Sequence, residues 1–201
     1  MQVLLSFNAT GTMKKSALTV LSAAALLFTT ACTPDDSVKL AVEQSVQQFE
    51  AAGVENMEND ALFAAEAASA SMLEVQLGGA ALEKAVSPEV KEIAQEMVQA
   101  NQQMLNELQE VAMQSNFVLP STLGSRHHEL YEEITANSGI AFDLAYIDRI
   151  TKQHNELIER YEDMAENGQV MELKQYASKQ LPLLRQHQQT VEELEETIDN
   201  I

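Results

Sequence analysis

The chain has 201 residues, 45% of them apolar but only 5% aromatic, with no Trp, 7 Gly, 4 Pro and a formal charge of −19. That acidity excludes a nucleic-acid binder, which neutralises phosphates with Lys and Arg; it suits solubility, cation attraction or a basic partner. The scarcity of turn formers excludes a many-stranded β fold, and the Ala, Leu, Glu and Gln content favours helix within one compact domain.

Met13-Lys14-Lys15 opens a cationic stretch, Ala17 to Thr29 is an apolar run of 13 residues, and Thr29-Thr30-Ala31 leads into Cys32. A bilayer span needs about 20 apolar residues, so residues 1–31 read as a signal peptide, with its start at Met1 or Met13. No Asp or Glu precedes Cys32, and removal of Lys14 and Lys15 takes the formal charge from −19 to −21. Cys32 is the only cysteine, so it forms no internal disulfide.

The small residues before Cys32 resemble the bacterial lipobox. That resemblance implies a diacylglyceryl group on the Cys32 thiol, cleavage before it, and a further acyl chain such as palmitate on the new amino terminus. Several acyl chains anchor stably where one does not. Thr33, rather than Asp, follows the cysteine. This resembles sorting to the periplasmic face of the outer membrane rather than retention in the inner membrane.

Residues 32–57 read as the lipidated cysteine and a tether, and 58–201 as the helical domain. The tether carries a short amphipathic helix marked by Val38, Ala41, Val42, Val46 and Phe49. Apolar spacing predicts a first long helix over about 59–86, with Leu62, Phe63, Ala70, Leu73, Leu77 and Ala81 inward. Ser87-Pro88 caps and starts a second to about Ser115, with Ile93, Met97, Met104, Leu108 and Val111 inward. Pro120 breaks the chain before an extra short helix ending near Ala136.

The third long helix spans about 140–166, with Asp143, Ile147, Ile150, His154, Ile158 and Tyr161 inward. Asn167-Gly168 turns into the last, over about 169–199, with Leu173, Leu184, Val191 and Leu194 inward. Pro182 predicts a kink or local break there, because it removes a hydrogen bond and collides with the Ser178 carbonyl. The expected fold class is all-α: an antiparallel four-helix bundle with a short N-terminal amphipathic helix and an extra short helix before the third long one.

Polar residues interrupt these stripes near the helix middles: Glu74, Asn101, His154 and His187. In an antiparallel bundle the middles meet at one level. A carboxylate with two imidazoles would suit a transition metal, whether zinc, copper or iron, and Asp143 is a further candidate ligand. The same groups, with Asn101 and Tyr146, would equally form a metal-free polar seam that satisfies itself. A di-iron oxidase needs Glu-x-x-His on two helices, but Thr151 precedes His154 by three and Leu184 precedes His187 by three.

Weaker features read as structural. His127, His128 and Glu129 are helical neighbours that point apart, so they read as exposed. Met97, Met104 and Met113 would suit copper but read as core filler. The sequence holds no recognisable nucleophile elbow and no phosphate loop. No catalytic residue is assigned.

The runs AASASMLEVQLG (67–78), SPEVK (87–91), AFDLAY (141–146) with His154, and LPLLRQH (181–187) resemble the bacterial domain-of-unknown-function 4142 family. Its members are described as predicted outer membrane proteins with a ferritin-like bundle. The family places Asp-His on the second helix where this chain has Ala100-Asn101, one candidate ligand fewer. Glu74, Asp143, Tyr146, His154 and His187 keep the pattern. The family has no assigned activity, so the resemblance implies fold and export but names no reaction. The expectation is a lipid-anchored, periplasm-facing envelope protein with a non-enzymatic binding or stress-related role, one that engages the membrane through its anchor, an envelope protein partner and no nucleic acid. The alternative is a periplasmic metal binder using the Glu/His cluster.

Overall fold

The computed structural model describes residues 36–199; the stretch read as a signal peptide and Cys32 lie outside them. Among the described residues there are six helices and no strand: α1 (Ser37–Ala51), α2 (Glu58–Lys84), α3 (Pro88–Ser115), α4 (Ser125–Thr135), α5 (Ile140–Asn167) and α6 (Met171–Asp199). Local chemistry sets the ends. Asp36 caps α1 by accepting from the Val38 and Lys39 amides at 2.8 and 3.2 Å. Ser87 caps α3 just before Pro88, and α3 stops at Asn116, whose φ of 60° is left-handed.

The long helices α2 and α3 pack chiefly on each other, as do α5 and α6, and the two pairs meet along α3–α6 and α2–α5. Helix α1 lies on α2, and α4 lies on α2 and α5. Helix α2 is thus surrounded, and its composition explains why. Ala61, Ala64, Ala65, Ala67, Ala68 and Ala70 are all buried, and a helix that is apolar on every side is stable only inside. Gly78 lets α3 come close: a Cβ there would sit 2.6 Å from Val98 Cγ2 and 3.0 Å from the Ala94 carbonyl oxygen.

The core falls into two apolar clusters. One holds Phe63, Met104, Leu108, Tyr161, Leu173 and Leu184; the other holds Leu73, Leu77, Met97, Phe142, Ile150 and Val191. The polar residues Asn101, His154 and His187 stand between members of the two clusters along their helices.

Several expectations change. The amphipathic helix expected within the tether is α1, and it does not stand apart: its Val42, Val46 and Phe49 pack against the first cluster. Only Thr33, Pro34 and Asp35 separate Cys32 from Asp36. Leu62 is exposed, because the small alanines fill the inward stripe around it, and Val111 and Ile158 are only partly buried. Helix α6 runs through Pro182 without a break. Pro182 and Ser178 both lie on the exposed side, where the freed carbonyl can tilt towards solvent.

Candidate functional site

Four helices bring their central polar residues together. Asn101 Nδ2 on α3 donates to Glu74 Oε2 on α2 at 2.7 Å, and to the Met97 carbonyl at 3.1 Å. On α5, His154 Nδ1 lies 3.0 Å from the Ile150 carbonyl and 3.6 Å from Glu74 Oε1. A carbonyl only accepts, so Nδ1 carries the proton and His154 Nε2 is the second ring position. The His187 ring of α6 meets the His154 ring edge-on, with centroids 5.6 Å apart.

This seam is sealed. Glu74, His154 and Tyr146 have no exposed surface, and Asn101 and His187 are buried. It is also incompletely paired: Glu74 Oε1, Tyr146 Oη, His154 Nε2 and His187 Nδ1 lack hydrogen-bond partners. Burial raises the Glu74 carboxyl above its ordinary range, opposed in part by His154, the Asn101 hydrogen bond and Arg149. Burial, then His154, lowers His187 to about 4, so it is neutral at pH 7. Burial, then the charge of Glu74, holds the Tyr146 hydroxyl protonated.

Asp143, the fourth candidate ligand, does not join the seam. It stands eleven residues before His154, about 16 Å along the helix at 1.5 Å per residue. Its oxygens accept from the Ser87 amide at 2.8 Å and the Val86 amide at 3.1 and 3.2 Å, clamping the α2–α3 turn. Sequence reasoning missed its counterpart, Asp60. That residue accepts from the Val170 amide at 2.8 Å and the Gln169 amide at 2.9 and 3.1 Å, clamping the α5–α6 turn. Both acids stand in the first turn of their helices, a position usually ascribed to the helix dipole.

His127 was expected to be exposed but turns inward. Its Nδ1 lies 2.7 Å from Ser69 Oγ, which accepts from the Gly124 amide at 2.9 Å. Burial, then Arg126, lowers His127 to about 4, so the ring that hydrogen-bonds Ser69 is neutral at pH 7. His128 stays exposed. Met97 and Met104 are buried core residues, while Met113 is exposed.

Beside His127 opens a cleft of about 380 Å³ between α2 and α5. Phe63, Ala67, Ala70 and Leu157 give it apolar walls, and Arg126, Glu156, Arg160 and Glu66 give it a charged rim. Arg126 and Arg149 share Glu156 at 2.9 and 3.5 Å, and Arg160 reaches Glu66 at 3.4 Å. Gln153, buried beside it, accepts from Arg149 Nη2 at 3.2 Å. Sequence periodicity could not single out these residues, because each occupies an ordinary polar position of its helix.

The unpaired atoms of the seam suit a proton, ordered water or a small cation, and its centre has no exposed surface. Among the described residues, no three His, Cys, Asp or Glu side chains are grouped as a metal ion requires.

The chain resembles a solved structure titled as a DUF305 fragment from Deinococcus radiodurans, with a TM-score of 0.60 at 9% identity, covering 71% of this chain and 97% of that one. At that identity the likeness concerns the fold alone. No curated protein matches the chain. The profile of the family described as domain of unknown function DUF4142 matches residues 44–194, well over half of the sequence, and the chain belongs to that family.

Proposed function

We propose that this protein is a lipoprotein of the bacterial envelope, held at the periplasmic face of the outer membrane by acylated Cys32, whose helical body acts by binding rather than catalysis. The helix pairings α2–α3, α5–α6, α3–α6 and α2–α5 support reading that body as an antiparallel, ferritin-like four-helix bundle. The observation that carries the functional reading is the sealing of the polar seam. Glu74 and His154, its central titratable groups, are wholly buried, whereas an acid–base pair must reach the proton it moves. Recognition then falls to the surface, and the stress-related role is one such binding role. The test is incorporation of labelled palmitate with membrane fractionation. The wild-type chain carries label and stays with the outer membrane, and Cys32→Ser loses both. An unlabelled, soluble wild-type chain overturns the reading.

A second reading, a metal binder, is favoured by the four unpaired buried atoms. Each would cost about 1–3 kcal/mol if left bare, a large share of a net stability of about 5–15 kcal/mol. Water or a single cation would answer that need. A di-iron centre does not fit, because the Glu-x-x-His pairs are missing and Asp143 is engaged at the α2–α3 turn. For one ion, Glu74 Oε1, His154 Nε2 and His187 Nδ1 would be the donors, and the side chains would have to shift together to form the set. Elemental analysis of the full chain after exposure to zinc, copper and iron decides it. Stoichiometric metal that vanishes in His154→Ala supports the ion; no retained metal leaves a hydrated polar seam.

A further inference from the structure

We infer that the helical body lies on its side against the lipid surface, with the α2–α5 cleft facing the headgroups; the inference rests on Cys32 being the lipid anchor. The argument begins at Asp36, which is pinned to the waist of the molecule. Its Oδ2 accepts from the Ser125 amide at 2.9 Å, and the neighbouring Ser37 hydroxyl donates to the Leu123 carbonyl at 2.9 Å. Gly124, between those partners, donates to Ser69 in α2 at 2.9 Å. A Cβ on Gly124 would sit 2.7 Å from Val38 Cγ2, so a larger residue there would have to displace Val38.

Asp36 therefore shares the level of Ser69. Counting along α2 at 1.5 Å per residue, that level is about 16 Å from the Glu58 end and about 22 Å from the Lys84 end. The turns joining the helices add to both distances. Cys32 precedes Asp36 by four residues, and four residues reach at most about 14 Å when fully extended. An upright body would hold Asp36 farther from the lipid than this link can span, with either end down. A body on its side satisfies the link.

The face that must turn to the lipid is the one bearing Asp36, which is a wall of the cleft. Two of the four arginines in the chain, Arg126 and Arg160, line it, each against a glutamate. Alternating guanidinium and carboxylate groups complement the phosphate and ammonium of a zwitterionic phosphatidylethanolamine surface. The formal charge of −21 left once Lys14 and Lys15 are removed opposes an anionic one. The opposite side, the α3–α6 groove, presents Glu107, Glu110 and Glu172 with Lys179.

The test uses the full chain, purified from membranes and reconstituted into phosphatidylethanolamine–phosphatidylcholine vesicles carrying a headgroup nitroxide. Acylation blocks the Cys32 thiol, so one introduced cysteine takes a fluorophore alone. Labels at Glu159→Cys and Glu66→Cys, on the cleft, should be quenched. A label at Gln175→Cys, across two helix diameters or about 20 Å away, should keep its emission. Labels at the two ends, Val54→Cys and Ile140→Cys, should be affected alike. Quenching confined to one end, or equal at Glu159 and Gln175, overturns the orientation. Intact mass and flotation separate the failures: an unacylated chain that does not float fails the anchor reading, while an acylated chain with the wrong pattern fails only the orientation.

Discussion

The protein buries two kinds of carboxylate, at its ends and at its middle, and treats them differently. Asp60 and Asp143 each face two successive backbone amides of a turn, so that their oxygens accept from N–H groups with no other partner. Each comes from the first turn of one helix pair and clamps the connection of the other, so the two pairs hold each other at both ends. Glu74 is as deeply buried, yet Asn101 answers only one of its oxygens. The end carboxylates are saturated and structural. The central one is half-paired, flanked by two imidazoles and a phenol in the same condition, and so is the place where a proton, water or cation would be held.

The largest expected effect breaks the saturated side of this contrast. Asp143→Ala strands the Val86 and Ser87 amides and should cost about 3 kcal/mol, the upper range for a charged hydrogen-bonded group; urea unfolding measures it. Asp60→Ala should match it. A loss below about 1 kcal/mol, the worth of an ordinary neutral hydrogen bond, would show that the turns hold without their clamps.

A middle-sized effect is expected from His187. Its folded pKa of about 4 lies below the ordinary 6.5, so the unfolded chain takes the proton first as pH falls. Its contribution is complete above pH 6.5 and is lost as pH drops through about 4. His127 titrates in the same window and adds to the loss. His187→Gln should flatten part of that decline in urea midpoints taken across the window. An unchanged slope would show that His187 has no depressed pKa.

The smallest effect, and the finest discrimination, belongs to Glu74→Gln. Burial raises the Glu74 pKa above 4.5, so the folded protein keeps that proton longer than the unfolded chain. Wild-type stability from this group is full below 4.5 and falls as pH rises through the raised value. The amide does not titrate, so the variant should change stability by less than about 1 kcal/mol in acid and gain on wild type as pH rises. Asp143→Asn should show no such gain, because its amide NH2 would oppose two backbone donors. Parallel pH profiles for the two variants would erase the distinction between them.

Much of this architecture was legible in the residues. Pro88 starts α3 and Ser115 ends it as expected, because caps and proline act through the nearest backbone groups. The convergence of Glu74, Asn101 and His154 followed from their central positions on helices that alternate in direction. Other expectations failed where alternatives were locally equal. The alanines of α2 carry no single apolar stripe, so nothing local marked Leu62 as exposed. Asp143 sits on an inward face as predicted, but what it meets is decided fifty-six residues away at Ser87.

The amino-acid order alone settles helix against strand, the positions of most helix ends, the acidity of the body and the presence of a lipobox-like cysteine, since each depends on short-range backbone chemistry or plain counting. The tertiary contacts decide that α1 packs on α2, that His127 turns in to Ser69, and that Asp60 and Asp143 each clamp the turn of the other helix pair. The reason is physical: a buried polar atom takes whichever partner the packing brings within about 3 Å, and packing is a property of the whole chain.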